Sequence, residues 1–370
     1  MKPESQFVAE LFDKDKDKDR VPAGSQNGKG HSRGRPVTPK QTFVLELTHQ
    51  CNRRCLYCYN GCDRRPSTTN GPLLDADAWD RIAESLTRFC SPCHFQISGG
   101  EPLLRPDFLE VTRRIASHGQ QLSLLTDGGL ITTQMATALA ELRIAPVQPT
   151  LLAANRKTHD EIKGSASFDS TVVAIQMLLR AQVPVSVSFV CTAMNYNYFK
   201  ETIELCFALG VRRVAWSRLC SVGTALHNHK SLMPDSAMVR DNLDTALWAR
   251  NTLKMNVMVA IGTPRCVATA AHTQALHFGP CAMSAGKPGY TVDPWGNVRA
   301  CSVSNVLLGN LNQISMAEID ADARANFLPQ ASTLPELCLR CPDASICMGG
   351  CRASAVASTG SWGGLDPLLQ

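Results

Sequence analysis

From residue 42 onward the chain alternates short apolar runs with longer amphipathic ones. Phe43, Val44, Leu45 and Leu47 read as a buried strand. A helical period follows over 75–90, with Asp75 placed as its N-cap. A second strand is predicted at 94–98, then a helix over 106–117 with Pro106 near its start, where a missing N–H is harmless. Strand 121–126, helix 132–142, strand 145–151, helix 168–181, strand 183–190, helix 197–209, strand 211–218 and helix 234–253 complete about six strand-then-helix units. Short apolar strands alternating with amphipathic helices predict an α/β fold, a parallel sheet covered by helices. Six such units suit an open, partial (β/α)6 barrel of the TIM type, whose chemistry gathers at the C-terminal ends of the strands.

The pattern changes at both ends. Residues 1–40 lack apolar periodicity and carry the charge run DKDKDKDR at 13–20, so they read as a solvated, disordered tail or as a docking segment. After about 255 the helical period fades and cysteines crowd in with Gly, Pro and Asn. The predicted organisation is therefore a tail over 1–40, the barrel over 41–235, a bridging region over 236–280 and a small, loop-rich, cysteine-rich module over 281–370.

Charge removes some classes of function. The formal net charge is +5, and the tail, with nine basic against six acidic residues, supplies three of those five. A body so close to neutral does not predict a nucleic-acid groove. No apolar run is long enough for a membrane helix, and the first residues lack the apolar core of a secretory signal. Sixteen cysteines in a long chain without that signal point to reduced thiols that bind metal or iron–sulfur clusters rather than to a disulfide scaffold, and to a cytoplasmic protein.

The segment after the first predicted strand reads THQCNRRCLYCYN. Cys51, Cys55 and Cys58 form C-x3-C-x2-C, a spacing unusual for zinc. Three thiolates on one loop can wrap one face of a cubane cluster. A fully liganded cube takes four, so three leave one iron open for a substrate or cofactor, as the open position does in catalytic zinc sites. Free thiols or a zinc knuckle are the alternatives on spacing alone.

With Tyr57 before its last cysteine, this motif resembles that of the radical S-adenosylmethionine (SAM) superfamily. Ser98-Gly99-Gly100-Glu101-Pro102, at the end of the second predicted strand, looks like that family's GGE motif. The resemblance implies a 4Fe-4S cluster on Cys51, Cys55 and Cys58, with SAM bound at its open iron and cleaved to a 5'-deoxyadenosyl radical. It further implies contacts to SAM from Gly99, Gly100 and Glu101, the carboxylate meeting the methionine ammonium. Asp127, where relatives often carry Asn, Ser188 in the fifth strand and Arg218 at the end of the sixth are further candidates for SAM contact. For each of those three a local hydrogen bond is the competing reading.

Further on, Cys281 and Cys301 flank a predicted hairpin with Pro294 and Gly296 at its turn. Cys338, Cys341, Cys347 and Cys351 then follow as C-x2-C-x5-C-x3-C. Structural zinc also favours C-x2-C pairs. Together with the first motif, the arrangement and the ending MGGCRASAVASTG resemble the SPASM extension of radical SAM enzymes, which holds auxiliary 4Fe-4S clusters. The resemblance assigns Cys281, Cys301 and Cys351 to auxiliary cluster I, with the upstream Cys266 as candidate fourth ligand. It assigns Cys338, Cys341 and Cys347 to auxiliary cluster II. That cluster's last ligand usually follows an Asp-Pro, but here Asp366-Pro367 is followed by no cysteine. Asp366, water, a cysteine from elsewhere or an open site remain as candidates. Cys62, Cys90, Cys93, Cys191, Cys206 and Cys220 carry no strong spacing, the C-x2-C pair Cys90 and Cys93 lying across a helix-to-strand turn, and read as small buried hydrophobes.

The resemblance implies an oxidoreductase or maturase that crosslinks or oxidises a peptide or protein side chain. Porphyrin side-chain remodelling in haem biosynthesis is the alternative, and a non-catalytic zinc or iron–sulfur binding module the second. The implied partners are a peptide or protein substrate, a separate leader-peptide-binding protein and an electron donor such as flavodoxin or ferredoxin. No nucleic acid and no membrane are expected.

Overall fold

The structure, a computed structural model, describes residues 41–60, 72–283 and 288–370. The tail over 1–40 and Cys62 lie outside the described residues. The described residues form one compact unit.

The first half follows the predicted alternation: β1 (Gln41–Glu46), α1 (Ala76–Phe89), β2 (Cys93–Ser98), α2 (Phe108–Ser117), β3 (Gln121–Thr126), α3 (Thr133–Glu141) and β4 (Val147–Pro149). Asp75 caps α1 by accepting from the Ala78 N–H. Helix α2 starts two residues later than Pro106 suggested, because Pro106 lies in the preceding turn and the Asp107 carboxylate is bound to Arg105 Nε at 2.6 Å instead of capping.

An unpredicted helix, α4 (Arg156–Lys163), comes next, followed by α5 (Phe168–Arg180). Asn155 Oδ1 caps α4 by accepting from the Thr158 N–H, and the helix ends on Gly164 in the left-handed conformation. β5 (Val187–Cys191), α6 (Phe199–Ala208), β6 (Arg213–Arg218) and α7 (Ser236–Leu253) then complete the alternation. β5 starts four residues later than predicted. Pro184 has no N–H to give, and before β5 proper the chain meets β4 only through an isolated bridge from Val185 to Val147.

Strands β1 to β4 are parallel in register, Phe43 opposite Phe95 and Phe95 opposite Leu122. β5, β6, β7 (Asn256–Val259) and β8 (His277–Phe278) form a second parallel sheet. A second bridge, Thr150 to Ser188, also links the two sheets. The architecture is thus a parallel α/β sheet of the partial-barrel kind. Its apolar interior runs from Phe43, Phe95 and Leu124 to Val187, Phe189 and Trp216, all fully or almost fully buried, with Cys191 and Cys206 as small members of the same core.

The far edge joins residues distant in sequence. β9 (Thr291–Val292) pairs parallel to β1, Val44 opposite Thr291, and β10 (Asn297–Arg299) and β11 (Leu307–Asn310) continue it as an antiparallel hairpin. Gly296 makes the turn with φ +86°. The hairpin between Cys281 and Cys301 therefore extends the barrel's own sheet, in the order β11-β10-β9-β1-β2-β3-β4. Two later helices, α8 (Met316–Asp322) and α9 (Arg352–Thr359), follow it.

Candidate active site

The C-terminal ends of β1, β2 and β3 meet at one place. Beyond β1 the backbone carbonyls of Thr48 and Gln50 accept from the N–H groups of Gly100 and Glu101, each at 2.8 Å. That approach needs glycine twice. A Cβ on Gly99, at φ +147°, would lie 2.5 Å from the Thr48 carbonyl oxygen, and one on Gly100 would lie 2.1 Å from that of Gln50. The glycine pair thus lays the residues leading into Cys51 directly against Glu101.

Glu101 is buried, and its carboxylate accepts from Thr126 Oγ1 and the Asp127 N–H at 2.8 Å and from the Leu103 N–H at 3.1 Å. Burial, with the charge of Asp127 beside it, pushes its pKa up to about 7. Three of the roughly four lone-pair positions of a carboxylate are used, which leaves an acceptor for a cation. Asp127 holds Arg53, a residue inside the three-cysteine loop, in an ion pair and accepts from the Gly129 N–H at 2.6 Å.

The three thiols lie half-buried on this loop, close enough that the charges of Cys55 and Cys58 act on Cys51. Burial is the main cause that pushes the Cys51 thiol up to about 12 and raises that of Cys55, while the nearby Lys163 opposes the latter. Metal coordination inverts this, since a ligating thiol is deprotonated outright. Among the described residues no three His, Cys, Asp or Glu side chains converge as a single ion would require. A cluster takes its thiolates at different irons, and cysteine thiolates are its ordinary ligands, so the donor set fits a 4Fe-4S group.

Two elements that sequence reasoning missed hold this loop. The Leu56 N–H donates to the Ile162 carbonyl of α4 at 2.9 Å, Arg53 Nη1 donates to Ser165 Oγ at 3.3 Å, and a Cβ on Gly164 would strike the Arg54 carbonyl. From beyond β6, Gly223, at φ +59°, lies so close that a Cβ would be 2.2 Å from the Tyr59 carbonyl oxygen. The only hint of α4 was Asn155 ahead of Ile162 in a polar stretch.

The other candidates for SAM contact are spread out. Ser188 lies half-buried in β5. Arg218, at the end of β6, is fully buried. It donates from Nη2 to the Gly262 carbonyl at 3.0 Å and from Nη1 to that of Leu219 at 3.1 Å, and it pairs with Asp366. Its Nε is buried with no partner among the described residues.

Asp366, a candidate ligand of auxiliary cluster II, is fully buried and pairs with Arg218. It accepts from Arg218, from the Cys351 N–H at 2.7 Å and from the Leu368 N–H at 3.0 Å. Cys281, Cys301 and Cys351 share a buried apolar cluster apart from the barrel core, and Cys220 shares it with them. Cys220 and Cys351 are 3.9 Å apart, sulfur to sulfur. The hydrogen bond from Cys220 and the charge of Arg218 hold the Cys351 thiol below the usual thiol range. Cys338, Cys341 and Cys347 are half-buried, on the turns over 336–347. Cys266, grouped by sequence with Cys281, Cys301 and Cys351, is exposed in the turn Arg265–Val267. The neighbouring Arg265 N–H donates to Cys347 Sγ at 3.5 Å.

Residues 45–206 match the model of the radical SAM superfamily. The chain carries a radical SAM domain. The matched span contains Cys51, Cys55, Cys58, the Gly99–Glu101 turn, Asp127 and Ser188, whereas Arg218 and the later cysteines lie beyond it. A radical SAM domain works with S-adenosylmethionine and a 4Fe-4S cluster. The chain is similar to the PqqA peptide cyclase of Rhodopseudomonas palustris, 29% identical over 332 residues that cover 88% of this chain and 85% of that protein. It is 26% identical to the PqqA peptide cyclase of Rhizobium meliloti, over 90% of this chain and 87% of that one. Among solved structures its fold is like that of Streptococcus suis SuiB bound to S-adenosylmethionine, with TM-score 0.68 and 17% identity over 89% of this chain and 77% of that one. It is also like that of anSMEcpe with bound AdoMet, with TM-score 0.65 and 18% identity over 90% and 91% of the two chains. No helix among the described residues is long and apolar enough to cross a membrane.

Proposed function

We propose that this protein is a radical SAM enzyme that crosslinks or oxidises the side chains of a peptide. The reading is carried by the three-cysteine loop laid against the Gly99–Glu101 turn at the strand ends, within the span that matches the superfamily. When bound, the cluster and SAM supply a 5'-deoxyadenosyl radical that abstracts hydrogen from an unreactive carbon. Cys51, Cys55 and Cys58 hold that cluster. Glu101 meets the methionine ammonium with its remaining acceptor, Gly99 and Gly100 let the backbone approach, and Asp127 fixes the loop through Arg53. Ser188 and the unpartnered Nε of Arg218 are the further donors toward SAM. The barrel over 41–235 provides these contacts, and Cys266 together with the cysteines over 281–370 serves the auxiliary clusters.

A peptide rather than a porphyrin is favoured by the relatives, which are named as cyclases of a peptide and match over nearly nine-tenths of this chain. A solved structure of like fold holds a precursor peptide, SuiB with SuiA, at TM-score 0.67 and 14% identity over 88% of this chain and 74% of that one. The remaining partners are an electron donor such as flavodoxin or ferredoxin and a separate leader-peptide-binding protein, in a cytoplasmic setting that keeps the thiols reduced.

The test is anaerobic reconstitution with iron, sulfide, a reductant and SAM. Wild type forms 5'-deoxyadenosine, and the variant with Cys51, Cys55 and Cys58 all changed to Ala does not. Given a precursor peptide encoded beside this chain, the enzyme yields a product lighter by two hydrogens, read by mass spectrometry. Continued SAM cleavage by the triple variant would overturn the site assignment. An unmodified peptide alongside vigorous SAM cleavage would overturn the substrate class.

A further inference from the structure

We propose that segments ahead of the C-terminal module complete both auxiliary sites: Cys220 joins Cys281, Cys301 and Cys351, and Cys266 joins Cys338, Cys341 and Cys347, each set of four holding one iron–sulfur cluster. This rests on the reading that the C-terminal cysteines bind such clusters, and it departs from the grouping that the family resemblance implied.

The inner set is drawn together by packing. Cys220 lies two residues past the end of β6, and its sulfur is 3.9 Å from that of Cys351. Cys220, Cys281, Cys301 and Cys351 are all nearly fully buried in one small cluster with Met283, Ala300 and Ala353. They come from four separate segments, unlike the paired C-x2-C knuckles typical of structural zinc. Gly262 keeps one side of the cluster close, since a Cβ there would lie 3.3 Å from the Cys281 Cα and equally near the Gly350 carbonyl oxygen. The Gly262 carbonyl is also held by Arg218, two residues before Cys220.

The outer set is drawn together by Arg265. Its N–H donates to Cys347 Sγ at 3.5 Å, and its guanidinium lies 3.5 Å from Asp343, between Cys341 and Cys347. This holds Cys266, the next residue, beside the C-x2-C-x5-C run. Asp366, whose two oxygens accept from Arg218 and two backbone N–H groups, is not needed.

Four thiolates saturate a cubane where three leave a corner open. The two auxiliary sets therefore differ in kind from the loop at Cys51, and neither offers an iron to SAM. Each set also ties an earlier segment, after β6 or after β7, to the C-terminal segment, so loading should stabilise the contact between them.

The experiment uses the full chain with Cys51, Cys55 and Cys58 changed to Ala, reconstituted anaerobically, so that only auxiliary iron is counted. About eight irons per chain are expected for two cubanes. Adding Cys266→Ala, at an exposed position, or Cys220→Ser, which keeps the side-chain size, should remove about four irons or leave a cluster whose EPR spectrum shifts on adding cyanide, the mark of a newly opened corner. Cys206→Ala, in the core of the barrel, is the control for loss of an unrelated thiol. Unchanged iron, EPR spectrum and cyanide response in either variant would overturn that assignment. Zinc found in place of iron, and lost with the same substitutions, would overturn the cluster. The reading of the Cys51 loop fails separately, if wild type holds no more iron than the triple variant.

Discussion

Arg299 in β10 and Glu46 at the end of β1 form a buried ion pair, Nη2 to Oε2 at 2.5 Å. The other carboxylate oxygen of Glu46 accepts from Asn60, which also donates to the Gly99 carbonyl, and Arg299 Nη1 donates to the Ser302 and Ser304 carbonyls. One pair thus connects the chain on both sides of the three-cysteine loop, the glycine turn and the segment leading from Cys301. Removing one member of such a pair strands a charge where water cannot reach it, at a cost of roughly 3–5 kcal/mol. Arg299→Met should destabilise the chain by about that much, and Glu46→Leu in the same chain should recover most of it. Denaturant unfolding followed by circular dichroism checks both; strictly additive losses would mean the pair is not coupled.

With Glu101 as the proposed partner of the methionine ammonium, SAM binding should depend on pH. Its carboxyl is held up at about 7 by burial and by the charge of Asp127, so below pH 7 it is mostly protonated and cannot pair with an ammonium. Affinity should therefore rise from pH 6 to 7.5, by roughly fivefold after allowing for the ligand's own α-amino group, which loses its proton near 8. Glu101→Gln keeps the size of the side chain and should both weaken binding and flatten the slope. Titration calorimetry on the reconstituted protein measures it; an equally steep slope in the variant would assign the titration to another group.

Gly223 should control the radical cluster from a distance of 165 residues along the chain from Cys58. Its φ of +59° disfavours any side chain, and an added Cβ would face the backbone carbonyls of Tyr59 at 2.2 Å and Cys58 at 2.9 Å, neither of which can turn aside as a side chain could. Nearby, Ala225 donates to the Cys58 carbonyl at 3.3 Å and Asn228 Nδ2 to that of Leu56 at 3.0 Å. Gly223→Ala should shed about four irons and abolish 5'-deoxyadenosine formation, leaving the auxiliary irons in place. A full iron count with normal SAM cleavage would show that the loop does not lean on this turn.

The elements that the chain's pattern reveals are those whose signal is local. β3 matches its predicted limits at Gln121–Thr126, and the Asp75 cap sits where α1 starts, because alternation and capping are decided within a few residues. Helix α4 escaped because RKTHDEIK is polar and buries only His159, Ile162 and Lys163, too few for a readable stripe. The pairing of β9 with β1 escaped because it joins Val44 to Thr291, and no local pattern encodes a partner so far away. The same holds at the sites. Cys51, Cys55 and Cys58 announce themselves by spacing, and Asp127 stood out where Asn is usual, but its partner Arg53 emerges only in three dimensions. Cys220 and Cys266 carry no spacing at all, since their neighbours are brought by β6 and by the turn after β7.

Arg218 and Asp366 lie fully buried against each other, 148 residues apart in sequence, and Asp366 also accepts from the Cys351 N–H. The carboxylate therefore neutralises a guanidinium that has no access to water and fixes the backbone of a cysteine in the inner set. Asp366→Asn keeps the shape but withdraws the charge, leaving Arg218 with two carbonyls and no counterion. A loss of roughly 3–5 kcal/mol in stability is expected. Because Cys351 shifts with the same side chain, the auxiliary iron content should fall together with it. Unfolding and iron counts on one preparation separate the two roles: a destabilised chain that keeps all its iron would confine Asp366 to charge balance, whereas full stability with lost iron would make its bond to Cys351 the dominant contribution.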